Sequence, residues 1–257
     1  MAVKFSNDNQ PHEGVHPHDA KSMSEEELWA ELRQVAAAPE CVALGECGLN
    51  YTKDFSEPHV QRAVFKRQSF HTKRMSLHIG QRECFDVQVE LACELQKPLL
   101  VHEKAAQEDV LRILEEGGAR LPPVVVHSFT GSAEQGLRYL ERGCYLALTG
   151  YVCKDKAADG VRRLLADRLL PLDRLLVETD SPFMYPNVRA SKLPPHVKAC
   201  LTERSMNFVN RYCTFQRNEP CALPAVVELA AGFLGRSAQD VALATAFNAL
   251  KLFGLSH

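Results

Sequence analysis

The feature that most constrains this chain is a set of short apolar runs: Val42-Ala43-Leu44-Gly45, Pro98-Leu99-Leu100-Val101, Pro123-Val124-Val125-Val126, Cys144-Tyr145-Leu146-Ala147-Leu148 and Leu175-Leu176-Val177. A strand with one wet face alternates in polarity. Runs that are apolar on both parities predict strands covered on both faces, as in a parallel sheet flanked by helices. Longer amphipathic segments separate the runs, a rhythm that favours βα units over an all-helical or all-β chain. At 257 residues, 46% hydrophobic and 24% charged, the chain has the composition of a globular domain and the length of a parallel α/β barrel. One domain over residues 1–257 is the expectation, with an atypical polar start over 1–13.

The helices carry their own punctuation. Ser24 stands three residues before Glu27 as a capping box, Leu28, Leu32 and Val35 follow at helical spacing, and Pro39 lies beyond the end. Ser132 and Gln135 repeat the start signal and Gly143 ends that segment. Gly117-Gly118 stops the helix after the second run, and Pro224 to Leu234 with Ser237 to Phe253 predicts a closing helical pair. Val64, Phe65 and Gln68 stay in helical phase with Val89, Leu91, Ala92 and Leu95 only when the residues between are removed, which predicts an insertion over 69–88. The polar, Pro-containing stretch from Phe183 to Cys221 has no pattern that assigns it a structure.

Charge and cysteine usage narrow the function classes. Lys+Arg at 30 against Asp+Glu at 32 gives a net charge of −2, without the basic excess that grips nucleic acid electrostatically. A phosphate substrate would have to be held by local groups or by metal. Nine cysteines with no C-x-x-C pair predict reduced, buried thiols and not a disulfide framework or zinc cage. The start has no apolar signal core, and no stretch approaches the roughly 18 consecutive apolar residues of a membrane span. The expectation is an intracellular protein, cytoplasmic or nuclear.

The chemistry is concentrated where the runs end. Val42–Gly45 leads into Glu46, Leu99–Val101 into His102, Val124–Val126 into His127, and Leu175–Val177 into Glu178-Thr179-Asp180. In a parallel barrel the carboxyl ends of the strands converge on one mouth, so residues far apart in sequence can form one cluster. Imidazole and carboxylate together suit zinc, manganese and related divalent ions. Each residue alone has a structural reading as well. A histidine after a strand can satisfy loop backbone, and Asp180 before Ser181-Pro182 can be a turn residue or helix cap. Gly45 and Gly48 around Glu46 point to close backbone approach or a special turn. At the front, Gly14-Val15-His16-Pro17-His18-Asp19 is a site candidate or a solvated loop. Near the other end, Arg217 in Arg217-Asn218-Glu219-Pro220 can grip a phosphate or form a surface ion pair.

These motifs, together with Gly45-Glu46-Cys47-Gly48-Leu49, Val101-His102, Val126-His127-Ser128-Phe129-Thr130-Gly131 and Glu178-Thr179-Asp180-Ser181-Pro182, resemble in order and interval those of the TatD family of metal-dependent deoxyribonucleases. The resemblance implies a TIM-barrel-like metal-dependent hydrolase that binds one or two divalent ions (Mg²⁺, Mn²⁺ or Zn²⁺). It further implies cleavage of DNA phosphodiester bonds, with 3′–5′ exonuclease action on single strands. By matching motifs, Glu46, His102, His127 and Asp180 would be metal ligands, and Glu46 and Asp180 the catalytic carboxylates. Asp180 would accept a proton from the attacking water, and His16, Lys104 and Arg217 would face the substrate.

The chain departs from that pattern in places. Met1 to Glu13 is too short and too polar to supply the Asp-x-His-x-His strand and second strand with which the family begins, so a barrel lacking its N-terminal strands is expected. Gly48-Leu49-Asn50 stands where many relatives have Gly-Leu-Asp, and Glu103-Lys104 follows His102 where an arginine is usual; Lys104 supplies charge without the planar fork. Two other readings stay open at this level. One is a catalytically impaired shortened form that acts as an interaction module through unpaired sheet edges; the other is a related metal hydrolase of small amides or esters.

Overall fold

The computed structural model describes His16 and residues 26–52, 88–191 and 193–255. The capping box expected at Ser24, the atypical start over 1–13 and all but Gln88 of the expected insertion lie outside the described residues. The described residues fall into two compact units, one ending at His127 and the other beginning at Ser128.

The first unit is built on three parallel strands, β1 (Leu44–Asn50), β2 (Leu99–Lys104) and β3 (Val124–His127), with β2 in the middle. The apolar runs are correctly placed but stop too early for β1 and β2: Glu46 and His102 stand inside strands, not just beyond them. The polar residues there belong to one face. Cys47 and Leu49 of β1, like Leu99 and Val101 of β2, are buried, while Glu46, Gly48, Asn50, His102 and Lys104 take the alternate positions. Helix α1 (Glu26–Ala37) ends before Pro39, and the Lys97 ammonium donates to the carbonyls of Ala36 and Ala38 at its carboxyl end, where a cation also suits the helix dipole. Helix α2 (Gln88–Leu95) buries Val89, Leu91 and Ala92. Helix α3 (Gln107–Gly117) buries Val110, Leu111, Ile113 and Leu114 and stops where expected, at Gly118 with φ 54°.

In the second unit β4 (Tyr145–Leu148) and β5 (Leu175–Val177) pair in parallel, with Leu148 opposite Val177. Helix α4 (Ala133–Glu141) starts with the expected reciprocal capping box between Ser132 and Gln135. After α5 (Val161–Ala166), the unassigned stretch contains a short α6 (Pro195–Lys198) and α7 (Glu203–Tyr212). Thr202 caps α7, and the buried Glu228 carboxylate accepts from Thr202 N–H, Thr202 Oγ1 and Ser205 Oγ, which ties α7 to the next helix. That contact is long-range, which is why no local pattern announced the helix. The closing pair is present as α8 (Leu223–Leu234) and α9 (Ala238–Leu252), with Gly235 in the left-handed region between them. Among the described residues no single helix is long and apolar enough to cross a membrane. The described cysteines are free thiols, most of them buried. Burial pushes the thiols of Cys144 and Cys153 up to about 12, which keeps them protonated and unreactive.

Candidate metal centre

Strand register creates the centre. Gly48 is paired with His102, and His102 with His127, so the two imidazoles share one face of the first unit's sheet, with ring centroids 6.2 Å apart. Between Leu44 and Cys47 the β1–β2 register shifts, because Gly45 and Glu46 together oppose the single residue Leu100. A bulge of this kind re-aims a side chain, and here it turns Glu46 toward the imidazoles. The approach of the strands admits no side chain at the neighbouring position. A Cβ on Gly48 would lie 2.0 Å from the His102 carbonyl oxygen, and φ there is +141°, which L residues rarely adopt.

Glu46 Oε2 is surrounded by three imidazole nitrogens: His127 Nε2 at 3.5 Å, His102 Nδ1 at 3.9 Å and His16 Nε2 at 4.0 Å. His16 Nε2 and His102 Nδ1 are 3.3 Å apart, with the rings edge to face at 4.5 Å. The donor atoms of His16, Glu46 and His102 all lie within 4.8 Å of one another. Ligands on a tetrahedral ion with bonds of roughly 2.1 Å stand about 3.4 Å apart, so this nitrogen and oxygen set fits a divalent ion with little adjustment. His16 therefore stands among the candidate ligands themselves, whereas its motif suggested a place beside the substrate. Asn50 closes the group from behind, with Nδ2 at 3.1 Å from His102 Nε2. Lys104, at the end of β2, is partly exposed, and its carbonyl accepts from Tyr51 N–H.

The second unit carries the remaining candidates. Glu178 follows β5 directly, and its carboxylate accepts the backbone N–H of the buried Ser128 at 2.6 Å. Asp180 has φ 50°, and its carbonyl accepts from Phe183 N–H, the turn that its sequence neighbourhood allowed. Arg217 is an exposed side chain whose Nε donates to Glu219 at 2.7 Å. It helps to line an open cleft of about 530 Å³ with Ser181, Pro182, Gln216, Asn218 and Glu219. The residue that sequence reasoning passed over in this motif is Asn218. It is buried, donates through Nδ2 to the Thr179 carbonyl and through its backbone N–H to the Pro182 carbonyl, and so fixes the turn that carries Asp180. An amide between two charged residues and before proline was its only signal.

The chain matches the family described as TatD related DNase in two stretches, residues 1–80 and 69–254. It is 33% identical over 243 residues to a protein of Citrobacter rodentium named 3′-5′ ssDNA/RNA exonuclease TatD, covering 95% of this chain and 76% of that one. Among solved structures it resembles a hydrolase TatD family protein from Entamoeba histolytica, with a TM-score of 0.72 and 21% identity over 93% of this chain and 73% of that one. It also resembles YJJV, a TatD homolog from Escherichia coli K12, with a TM-score of 0.67 and 23% identity over 94% and 75% of the two chains. At these identities the structural likenesses establish the fold.

Proposed function

The chain belongs to the TatD related DNase family and shares its α/β, TIM-barrel-like fold class, and from that premise we propose that it is a divalent-metal-dependent nuclease releasing nucleotides from the 3′ end of single-stranded DNA. The observation that carries the reading is the Glu46 carboxylate with imidazole nitrogens of His16, His102 and His127 at 3.5 to 4.0 Å. RNA is a second substrate in this reading, since the relative from Citrobacter rodentium is named for both. The whole chain acts as one hydrolase domain, inside the cell where such substrates lie.

His16, Glu46, His102 and His127 would hold one divalent ion, and Asp180 would contribute to a site for one or two. Such an ion, when bound, lowers the pKa of water and offsets charge on a phosphodiester, which lets a nearly neutral protein act on a polyanion. The Asp180 carboxylate takes the proton of the attacking water. The Asn218 bonds to Thr179 and Pro182 hold that carboxylate's turn in one conformation. Lys104 and Arg217 bind backbone phosphates, Arg217 by exchanging Glu219 for the substrate.

The test is release of labelled mononucleotide from a 3′-labelled single-stranded oligonucleotide with Mg²⁺ or Mn²⁺. Release should stop in EDTA and fall by about 10²- to 10⁴-fold in Asp180→Asn, the usual effect of losing a general base. Release unaffected by EDTA or by Asp180→Asn would overturn the reading. Hydrolysis of small esters without nucleotide release would replace it by the small-substrate alternative.

A further inference from the structure

Asn50 is 4% exposed and lies against His102, and the direction of its amide can be deduced. One terminal atom of that amide is 3.0 Å from the Thr52 backbone nitrogen and 2.6 Å from Thr52 Oγ1. A backbone N–H only donates, so the atom facing it must be the carbonyl oxygen Oδ1; an NH₂ there would set hydrogen against hydrogen. The other end, Nδ2, is then the atom 3.1 Å from His102 Nε2. An NH₂ donates and does not accept, so His102 Nε2 accepts, and the single hydrogen of a neutral imidazole resides on Nδ1. There it points into the group, 3.3 Å from His16 Nε2 and 3.9 Å from Glu46 Oε2, both able to accept it.

Coordination through Nδ1 requires the opposite tautomer. The lone pair must be on Nδ1 and the hydrogen on Nε2, where it would meet the Asn50 NH₂ hydrogens. Turning the amide over would relieve that clash but would set the NH₂ against Thr52 N–H. We propose that Asn50, held by Thr52, is a positioning residue that fixes His102 with its hydrogen on Nδ1 and thereby holds down the affinity of the group for a divalent ion. This rests on the metal centre of the proposed function. It assigns to one buried amide a part in setting how much ion the site retains. The ring stays neutral in both tautomers, so the effect is one of hydrogen placement.

The experiment compares wild type, Asn50→Asp and Asn50→Ala. Long-range ¹H–¹⁵N spectra of the metal-free proteins, with the His102 ring assigned by its loss in His102→Gln, should show the hydrogen on Nδ1 in wild type. In Asn50→Asp it should be on Nε2, since a carboxylate can accept from Nε2–H while keeping both Thr52 bonds. Calorimetric titration with Mn²⁺ and Zn²⁺ should show binding about tenfold tighter or more in Asn50→Asp, the scale on which residues behind a metal ligand act. Asn50→Ala adds no charge and should tighten binding severalfold, which separates hydrogen placement from electrostatics. A residue that merely supported the fold would weaken binding in both variants. The proposal is overturned by a wild-type His102 with its hydrogen on Nε2, or by Asn50→Ala binding no more tightly than wild type. Absence of ion binding in all forms would sink the nuclease reading itself, and the spectra would still decide the His102 assignment.

Discussion

Each unit carries acidic or imidazole side chains within or directly after its parallel strands, in different surroundings. In the first, His102 and His127 stand at register-matched positions, Glu46 comes from the neighbouring bulge, and its carboxylate oxygen has nitrogen atoms on several sides. In the second, the carboxylate that follows β5 accepts the Ser128 backbone N–H, and Asp180, two residues on, is carried on a turn. What a charged residue within or after a buried strand does thus depends on the groups it meets. Its neighbour decides: beside a backbone donor it closes a hydrogen bond, and beside other side-chain donors it forms a cluster.

The largest effect is expected of Gly48→Ala. The new Cβ would lie 2.0 Å from the His102 carbonyl oxygen at a φ of +141°. Backbone strain and overpacking at roughly 1–3 kcal/mol each should lower unfolding stability by about 4 kcal/mol in urea titrations and disturb the centre. A loss below 1 kcal/mol would mean that close strand approach does not build it. Next in size is the ion itself. At a hundred times its Kd, added Mn²⁺ should stabilise wild type by about 2.7 kcal/mol, as seen in its melting temperature, whereas Glu46→Gln should gain far less. Equal gains in both proteins would move the ion away from Glu46.

Glu178→Ala should cost about 2 kcal/mol of stability, the range for a hydrogen bond to a charged group, with ion binding retained. Loss of ion binding without loss of stability would reverse the contrast between the units. The smallest effect concerns two buried glutamates, one in each unit. Glu228 accepts from Thr202 and Ser205, whereas Glu90 Oε2 is buried without a hydrogen-bond partner among the described residues. Burial pushes the Glu90 carboxyl up to about 7, opposed by Arg120 and Arg33 and assisted by Glu94. The folded chain keeps a proton that the unfolded chain releases in the ordinary carboxylate range, so this group's contribution to stability declines as pH rises from about 4.5 to 7. Glu90→Gln should therefore stabilise by about 1 kcal/mol at pH 8 and leave stability at pH 4 nearly unchanged, while the same change at Glu228 destabilises. Urea midpoints at the two pH values check both signs.

Much of this was legible in the chain. Apolar runs on both parities marked β3, β4 and β5 almost to the residue, because burial on both faces leaves no room for polar side chains. They marked β1 and β2 only in part, because each strand gives one face to the polar cluster and loses its apolar signature there. Ser132 and Gln135, Gly118 and Ser237 announced helix ends through contacts a few residues long. Helix α7 went unannounced because its anchor, Glu228, lies in a different helix.

The site divides in the same way. Glu46, His102 and His127 could be singled out because each follows an apolar run, and strand ends in parallel sheets collect functional side chains. Their distances, the place of His16 beside Glu46 and His102 and the direction of the Asn50 amide were not legible. Sequence alone determined most of the elements and which residue types follow the apolar runs, since those follow from local spacing and hydrophobicity. Tertiary structure decided which of those groups meet, because meeting depends on strand register, on the bulge at Gly45 and Glu46, and on two backbones brought together at Gly48. These are relations between segments 25 residues or more apart, and no local pattern encodes them.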